Sequence, residues 1–245
     1  MGDFEDFGDA FVILYKKAGD MKHKVSVRFM MMCVLMTVCL ISSNLFTTKV
    51  FTLWGLVLTG DLLIFPVSYI INDCISEVYG YRLARFSIWV AFLMNFFVVA
   101  VAQAVVIIPG AGFWDGGEHF NYIFRMEIKV ALASFAAFFA GSTVNATVMS
   151  LMKRASKGRY FPLRAIVSSI AGDLADSLIF MPIVFWAVGF RRLVLMIVCQ
   201  VLAKLVYEAV LLPLTQHVVK VLKNKEALDV IDEDISYNPF HILDI

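Results

Sequence analysis

"IWVAFLMNFFVVAVAQAVVII", residues 88–108, decides the class of this chain. The stretch carries no charge and is apolar on every side, so it fits neither an amphipathic surface helix nor a barrel strand, which alternates in character every residue. At about 1.5 Å per helical residue it reaches across a hydrocarbon core of about 30 Å. "FMMMCVLMTVCLISS", residues 29–43, reads the same way. Working outward predicts six spans, at about 28–47, 54–74, 84–108, 127–152, 163–187 and 191–219. The expected fold is an all-α integral membrane protein with six transmembrane helices in a compact bundle. The expected layout is a cytoplasmic amino-terminal segment (1–27), the six-helix membrane domain (28–220) and a cytoplasmic acidic tail (221–245).

Composition agrees. Of 245 residues, 60% are hydrophobic and only 17% charged, which excludes an ordinary soluble domain. The net charge of +1 is spread over loops, so no nucleic-acid partner is expected. Cys33, Cys39, Cys74 and Cys199 lie in or beside apolar runs without paired metal spacing, so they read as small buried hydrophobes. No metal or other cofactor is expected. The first apolar run has no small-residue cleavage pattern after it, which predicts a retained start.

Placing the amino terminus inside puts fifteen Lys and Arg on the cytoplasmic side, among them Arg82, Arg85, Lys153, Arg164 and Lys223. Five fall on the other side, and Lys204 alone is left within a span. This bias predicts that both termini are cytoplasmic. The tail, with Asp229, Asp232, Glu233 and Asp234, is expected to lie loosely in water. Pro66 and Pro213 each remove a backbone bond and are expected to interrupt spans two and six. The Gly-rich connection 109–126, with Phe113, Trp114 and Phe120, reads either as an interfacial aromatic belt or as a lid.

Four charges stand in the wrong solvent: Asp173 and Asp176 in "SIAGDLADSLIF", and Lys204 and Glu208 in "CQVLAKLVYEAVLLP". Each costs about 2.5–3.5 kcal/mol at mid-bilayer on insertion scales. Asp173 and Asp176 are three apart and share a helix face, while Lys204 and Glu208 are four apart and can pair. Either Lys204 neutralises Glu208 or Asp176 as a structural tie, or the group lines a cavity and meets a polar ligand or proton. A second cluster, "FPVSYIINDCISEVYGYRLAR", gathers Asn72, Asp73, Ser76, Glu77, Arg82 and Arg85 at the end of span two. It reads as a solvated helix end, with Asp73 or Glu77 paired to Arg82 or Arg85, or as an inner gate. Asn44 closes span one, and Gly141, Ser142, Thr143 and Asn145 lie mid-depth in span four, where small and polar residues favour close packing and interhelical hydrogen bonds.

"FPVSYIINDCISEVYGYRLAR", "GDLADSLIF" and the Lys204 and Glu208 pair together resemble the queuosine precursor transporter family, also called the vitamin uptake transporter family, over about residues 28–220. The resemblance implies a bacterial inner-membrane importer of 7-cyano-7-deazaguanine and 7-aminomethyl-7-deazaguanine for the tRNA base queuosine, and no enzyme. It also implies a bundle similar to the substrate-binding subunits of energy-coupling-factor transporters. Span one lacks the small-xxx-small alanine pattern with which those subunits dock their partner, so a solitary secondary carrier is expected, with protons as a possible coupling ion. Expected substrate-binding residues are Asn44, Asn145, Asp173, Asp176, Lys204 and Glu208, with Phe180, Trp186 or Tyr207 stacking on the ring. Expected gating residues are Asp73, Glu77, Arg82 and Arg85. A subunit that needs a separate ATPase is the alternative, because the chain has no phosphate loop of its own. An intramembrane aspartyl protease fits less well, since both aspartates of "GDLAD" sit on one helix.

Overall fold

The computed structural model describes residues 26–47, 49–53, 56–125, 128–233 and 235–241. The expected amino-terminal segment falls on residues that lie almost wholly outside these, as does Asp234. The chain divides into two units, Met1–Met31 and Met32–Ile245. Described residues of the first unit are Ser26–Met31, where the Ser26 hydroxyl accepts the Phe29 N–H at 3.0 Å and caps the opening helix. All that follows concerns the second unit.

Helix α1 runs Val27–Phe46, followed by a hairpin of β1 (Val50–Leu53) and β2 (Leu56–Thr59) and a 3₁₀ turn, Gly60–Leu63. Then come α2 (Phe65–Tyr79), α3 (Tyr81–Ile107), the short α4 (Gly117–Phe124), α5 (Ile128–Ala155), α6 (Phe161–Phe185) and α7 (Phe190–Glu226). Six helical stretches are long and apolar enough to cross a membrane, so the chain is a multi-pass all-α membrane bundle as expected.

Span two departs from its expected bounds. The apolar run from residue 54 is not helical at its start: residues 56–59 pair antiparallel with 50–53, and the Gly60 N–H closes the hairpin on the Lys49 carbonyl at 2.8 Å. Periodicity cannot separate a short apolar strand from helix. Pro66 lies in the first turn of α2, where its missing N–H costs nothing, so it opens the helix instead of interrupting it. Fifteen helical residues give about 22 Å and the 3₁₀ turn adds about 8 Å, which completes a crossing. Pro213 sits inside α7 without ending it, as Pro182 does inside α6.

Helix α2 is the centre of the bundle. In its apolar window 67% of residues are buried, against 11% for α3, and it packs on α3, α5 and α7. Helices α5 and α6 cross closely because Gly141 and Gly172 face each other. A Cβ on Gly172 would come within 2.8 Å of the Asn145 Cβ and of the Gly141 carbonyl oxygen. Phe97, Leu195, Val206 and Val210 are left exposed, as lipid-facing residues should be.

The tail corrects another expectation. Residues after α7 do not lie loosely in water but form a strap over the end of the bundle where Tyr79, Lys153 and Arg164 lie, called here the basic end. Asp232 is buried and accepts the Tyr81 N–H at 3.0 Å and the Ser150 hydroxyl at 2.5 Å. Arg85 donates to the carbonyls of Ser236 and Asn238, and the Trp89 indole N–H donates to Pro239. The link between α2 and α3 is Gly80, at φ +84°, where a Cβ would meet Asp232 and Val230 at 2.8 Å. Low apolar content hid this docking, which polar contacts achieve.

Candidate functional site

Two charged clusters lie along α2, α6 and α7. In the first, the Lys204 ammonium bridges Asp173 (3.1 Å) and Asp176 (3.0 Å). It also rests 4.4 Å from the ring centre of Phe65 and 5.9 Å from that of Tyr69, two rings one α2 turn apart. Lys204 thus ties the two aspartates, and Glu208 is left out of the pair expected for it. Glu208 instead borders a void of about 10 Å³ shared with Asp73, Ile70, Ala165, Ile166, Leu212 and Thr215.

Asp73 connects to α5 and α6 through neutral donors. Asn145 donates to it at 2.9 Å and Ser168 at 3.4 Å, while the Asn72 amide donates to the Asn145 carbonyl at 2.7 Å and to the Ser142 backbone at 3.1 Å. Asn145 therefore holds helices together and orients Asp73. Asn44 lies in a separate contact, donating to Asn95 on α3 at 2.8 Å and accepting from Ser134 on α5 at 3.3 Å. Of the six expected binding residues, the structure brings Asp173, Asp176 and Lys204 together, sets Asn145 and Glu208 beside Asp73, and places Asn44 elsewhere.

The second cluster surrounds Glu77. Its carboxylate is wholly buried and takes a fork from Arg164, at 2.5 and 3.0 Å, and a third bond from Lys223 at 2.6 Å. Lys153 donates to the Glu77 backbone carbonyl and lies 3.9 Å from the carboxylate. The pairing expected with Arg82 or Arg85 is corrected: both open α3 after the Gly80 turn, where Arg85 serves the tail and half-buried Arg82 takes no part. Asp229 of the tail reaches Lys153 at 2.5 Å and Lys223 at 2.9 Å. Burial works to raise the Asp229 carboxyl, but hydrogen bonds and charge from the two lysines outweigh it and hold it below its ordinary value. Beside the cluster opens a cavity of about 290 Å³ lined by Glu77, Phe161, Gln216, Lys220, Lys223 and Asn224, among others.

Sequence reasoning missed Arg164, Lys223 and Lys153 as partners of Glu77 because it counted them as loop charges. A signal existed: a carboxylate inside a span demands a cation, and Arg164 stands only three residues into the helix that opens at Phe161. Phe65 and Tyr69 were missed as well, since aromatics are common in every span.

The family profile described as "Putative vitamin uptake transporter" matches residues 59–218. The chain belongs to this family. Its matched part takes in α2, α3, α5, α6 and most of α7, and so both clusters. A protein of Bacillus subtilis (strain 168) named "Probable queuosine precursor transporter" is 27% identical over 175 residues, covering 71% of this chain and 72% of its own. The "Queuosine precursor transporter" of Escherichia coli (strain K12) is 25% identical over 145 residues, covering 59% of this chain and 63% of its own. No solved structure matches the chain. Membership in a family of transporters agrees with the expectation of a carrier and not an enzyme.

Proposed function

We propose that this chain imports queuosine precursors, 7-cyano-7-deazaguanine and 7-aminomethyl-7-deazaguanine, as a solitary secondary carrier of the bacterial inner membrane with both termini in the cytoplasm. Two relatives with such names support the substrate class. The observation that carries the reading is the pair Asp173 and Asp176, held at mid-membrane by one lysine against two aromatic rings. A guanine-like edge presents adjacent N1–H and amine donors, which a carboxylate accepts together. On binding, that edge takes over the carboxylates from the Lys204 ammonium, and the freed Phe65 ring offers a face for stacking. Glu77, clamped by Arg164 and Lys223 between this place and the basic-end cavity, acts as the inner gate. Asp73 stands just above it in the same lane, and Arg85 anchors the strap that backs the gate.

The test is growth-linked uptake. The chain is expressed in a bacterium lacking precursor synthesis and its own importer, 7-cyano-7-deazaguanine is supplied, and queuosine is assayed in tRNA. Restored queuosine that disappears in Asp176→Ala, with membrane insertion intact, is the expected result. No restoration by any deazaguanine would sink the substrate, and uptake that appears only with an added ATPase would sink the solitary mode.

A further inference from the structure

Close to the Lys204 trio lies a second pair of acids that no cation meets. Asp73 on α2 and Glu208 on α7 border the same void of about 10 Å³, room for about one water. Both side chains are buried. The nearby cations are engaged elsewhere: Lys204, one turn before Glu208, with Asp173 and Asp176, and Arg164 and Lys223 with Glu77. From α5 only the neutral Asn145 reaches Asp73. The other charged groups that face the pair are Glu77 on α2 and Asp173 on α6, both negative. An independent feature points into the same place. The Ser169 hydroxyl is buried and lies close to both carboxylates without completing a hydrogen bond of acceptable geometry to either.

Two like charges this close in a lipid-embedded interior cannot both stay ionised at low cost. One added proton removes one of the charges and supplies the missing donor between the two acids. We propose that Asp73 and Glu208 form the proton-carrying site of this transporter, an assignment that rests on the secondary-carrier reading above. A proton enters as Glu208 carboxylate becomes carboxylic acid on the acidic side, and it leaves from the same oxygen on the other side, with no other group changed. The position suits coupling: Glu208 is one turn from Lys204 along α7, and Asp73 is one turn from both Tyr69 and Glu77 along α2. The pair thus stands between the substrate trio and the gate. A proton fits better than a metal cation, because Asp73, Glu208 and Ser169 offer fewer free oxygen groups than a hard metal ion gathers.

The test uses the purified full chain in liposomes. With one proton per substrate, a pH step of one unit, acidic outside, drives about tenfold accumulation of 7-cyano-7-deazaguanine in the wild type. Glu208→Gln is expected to keep counterflow exchange yet only equilibrate substrate under the same step. Undiminished accumulation in Glu208→Gln, or accumulation driven by a sodium gradient instead, overturns the proposal. If Glu208→Gln does not fold, Asp73→Asn takes its place with the same two outcomes. Difference infrared spectra give a readout free of substrate: the C=O band of a protonated carboxylic acid is expected in the wild type and absent in Glu208→Gln. Identical bands in both would overturn the site. Failure of the wild type to move any deazaguanine would instead sink the proposed function, leaving the infrared result to judge the site.

Discussion

Glu77 and the pair Asp173 and Asp176 are all acids buried in one bundle, yet they are compensated in opposite ways. Glu77 has Arg164 and Lys223 on its carboxylate and Lys153 close by, while two aspartates share the single Lys204. The difference decides what each place can do. An arginine cannot shed its charge, so the Glu77 cluster is locked while its partners remain. Stranded carboxylates can neutralise by taking up a proton or by accepting donors from a ligand, so the mid-membrane cluster is adaptable. A lock and an exchangeable site lie on one lane between α2, α6 and α7.

The largest effect should come from breaking the lock. Glu77→Ala leaves Arg164 buried without a counter-charge and is expected to cost about 3–5 kcal/mol, read as a large fall in thermal stability in detergent. Lys204→Met should cost less, about 1–3 kcal/mol, because the two aspartates can share a proton. Acid should therefore restore stability to Lys204→Met but not to Glu77→Ala. Equal losses at every pH would break the comparison.

The crossing that carries the adaptable cluster can be tested separately. Gly172→Ala pushes α5 from α6 at Asn145 and should cost about 1–3 kcal/mol, with a matching loss of uptake. Asp232→Ala removes the acceptor of the Tyr81 N–H and the Ser150 hydroxyl, and about 1–3 kcal/mol of local stability. Limited proteolysis should then cut the strap beyond Lys225, while uptake by an intact mid-membrane site persists.

The smallest effect belongs to Asp229, half-exposed in the strap. Its carboxyl is held below the ordinary 3.8, so its contribution is fully present above that value and fades as pH falls through the lowered one. At neutral pH Asp229→Asn should cost no more than about 1 kcal/mol, seen as faster cleavage of the strap. No change in cleavage would show that Asp232 and Arg85 hold the tail unaided.

How much of this was legible depends on where each charge stands. Asp173, Asp176 and Lys204 announced themselves because charges are rare and expensive within an apolar run. Helix rotation did not: that Lys204 turns to the aspartates, and Glu208 to Asp73, depends on how α7 is set against α6 and α2. Asn44 and Asn145 looked alike as mid-depth amides, yet one joins α1 to α3 and α5 and the other orients Asp73.

By itself the sequence determined that the chain crosses a membrane six times and that a few ionisable groups lie at depth, because bilayer thickness and the cost of charge act on local composition. Tertiary structure alone decided that span two begins as a hairpin, that Glu77 draws its cations from α6 and α7, and that an acidic tail closes over the basic end. Those outcomes depend on partners far apart in the chain, and a burial cost written at one position does not say which distant residue will meet it.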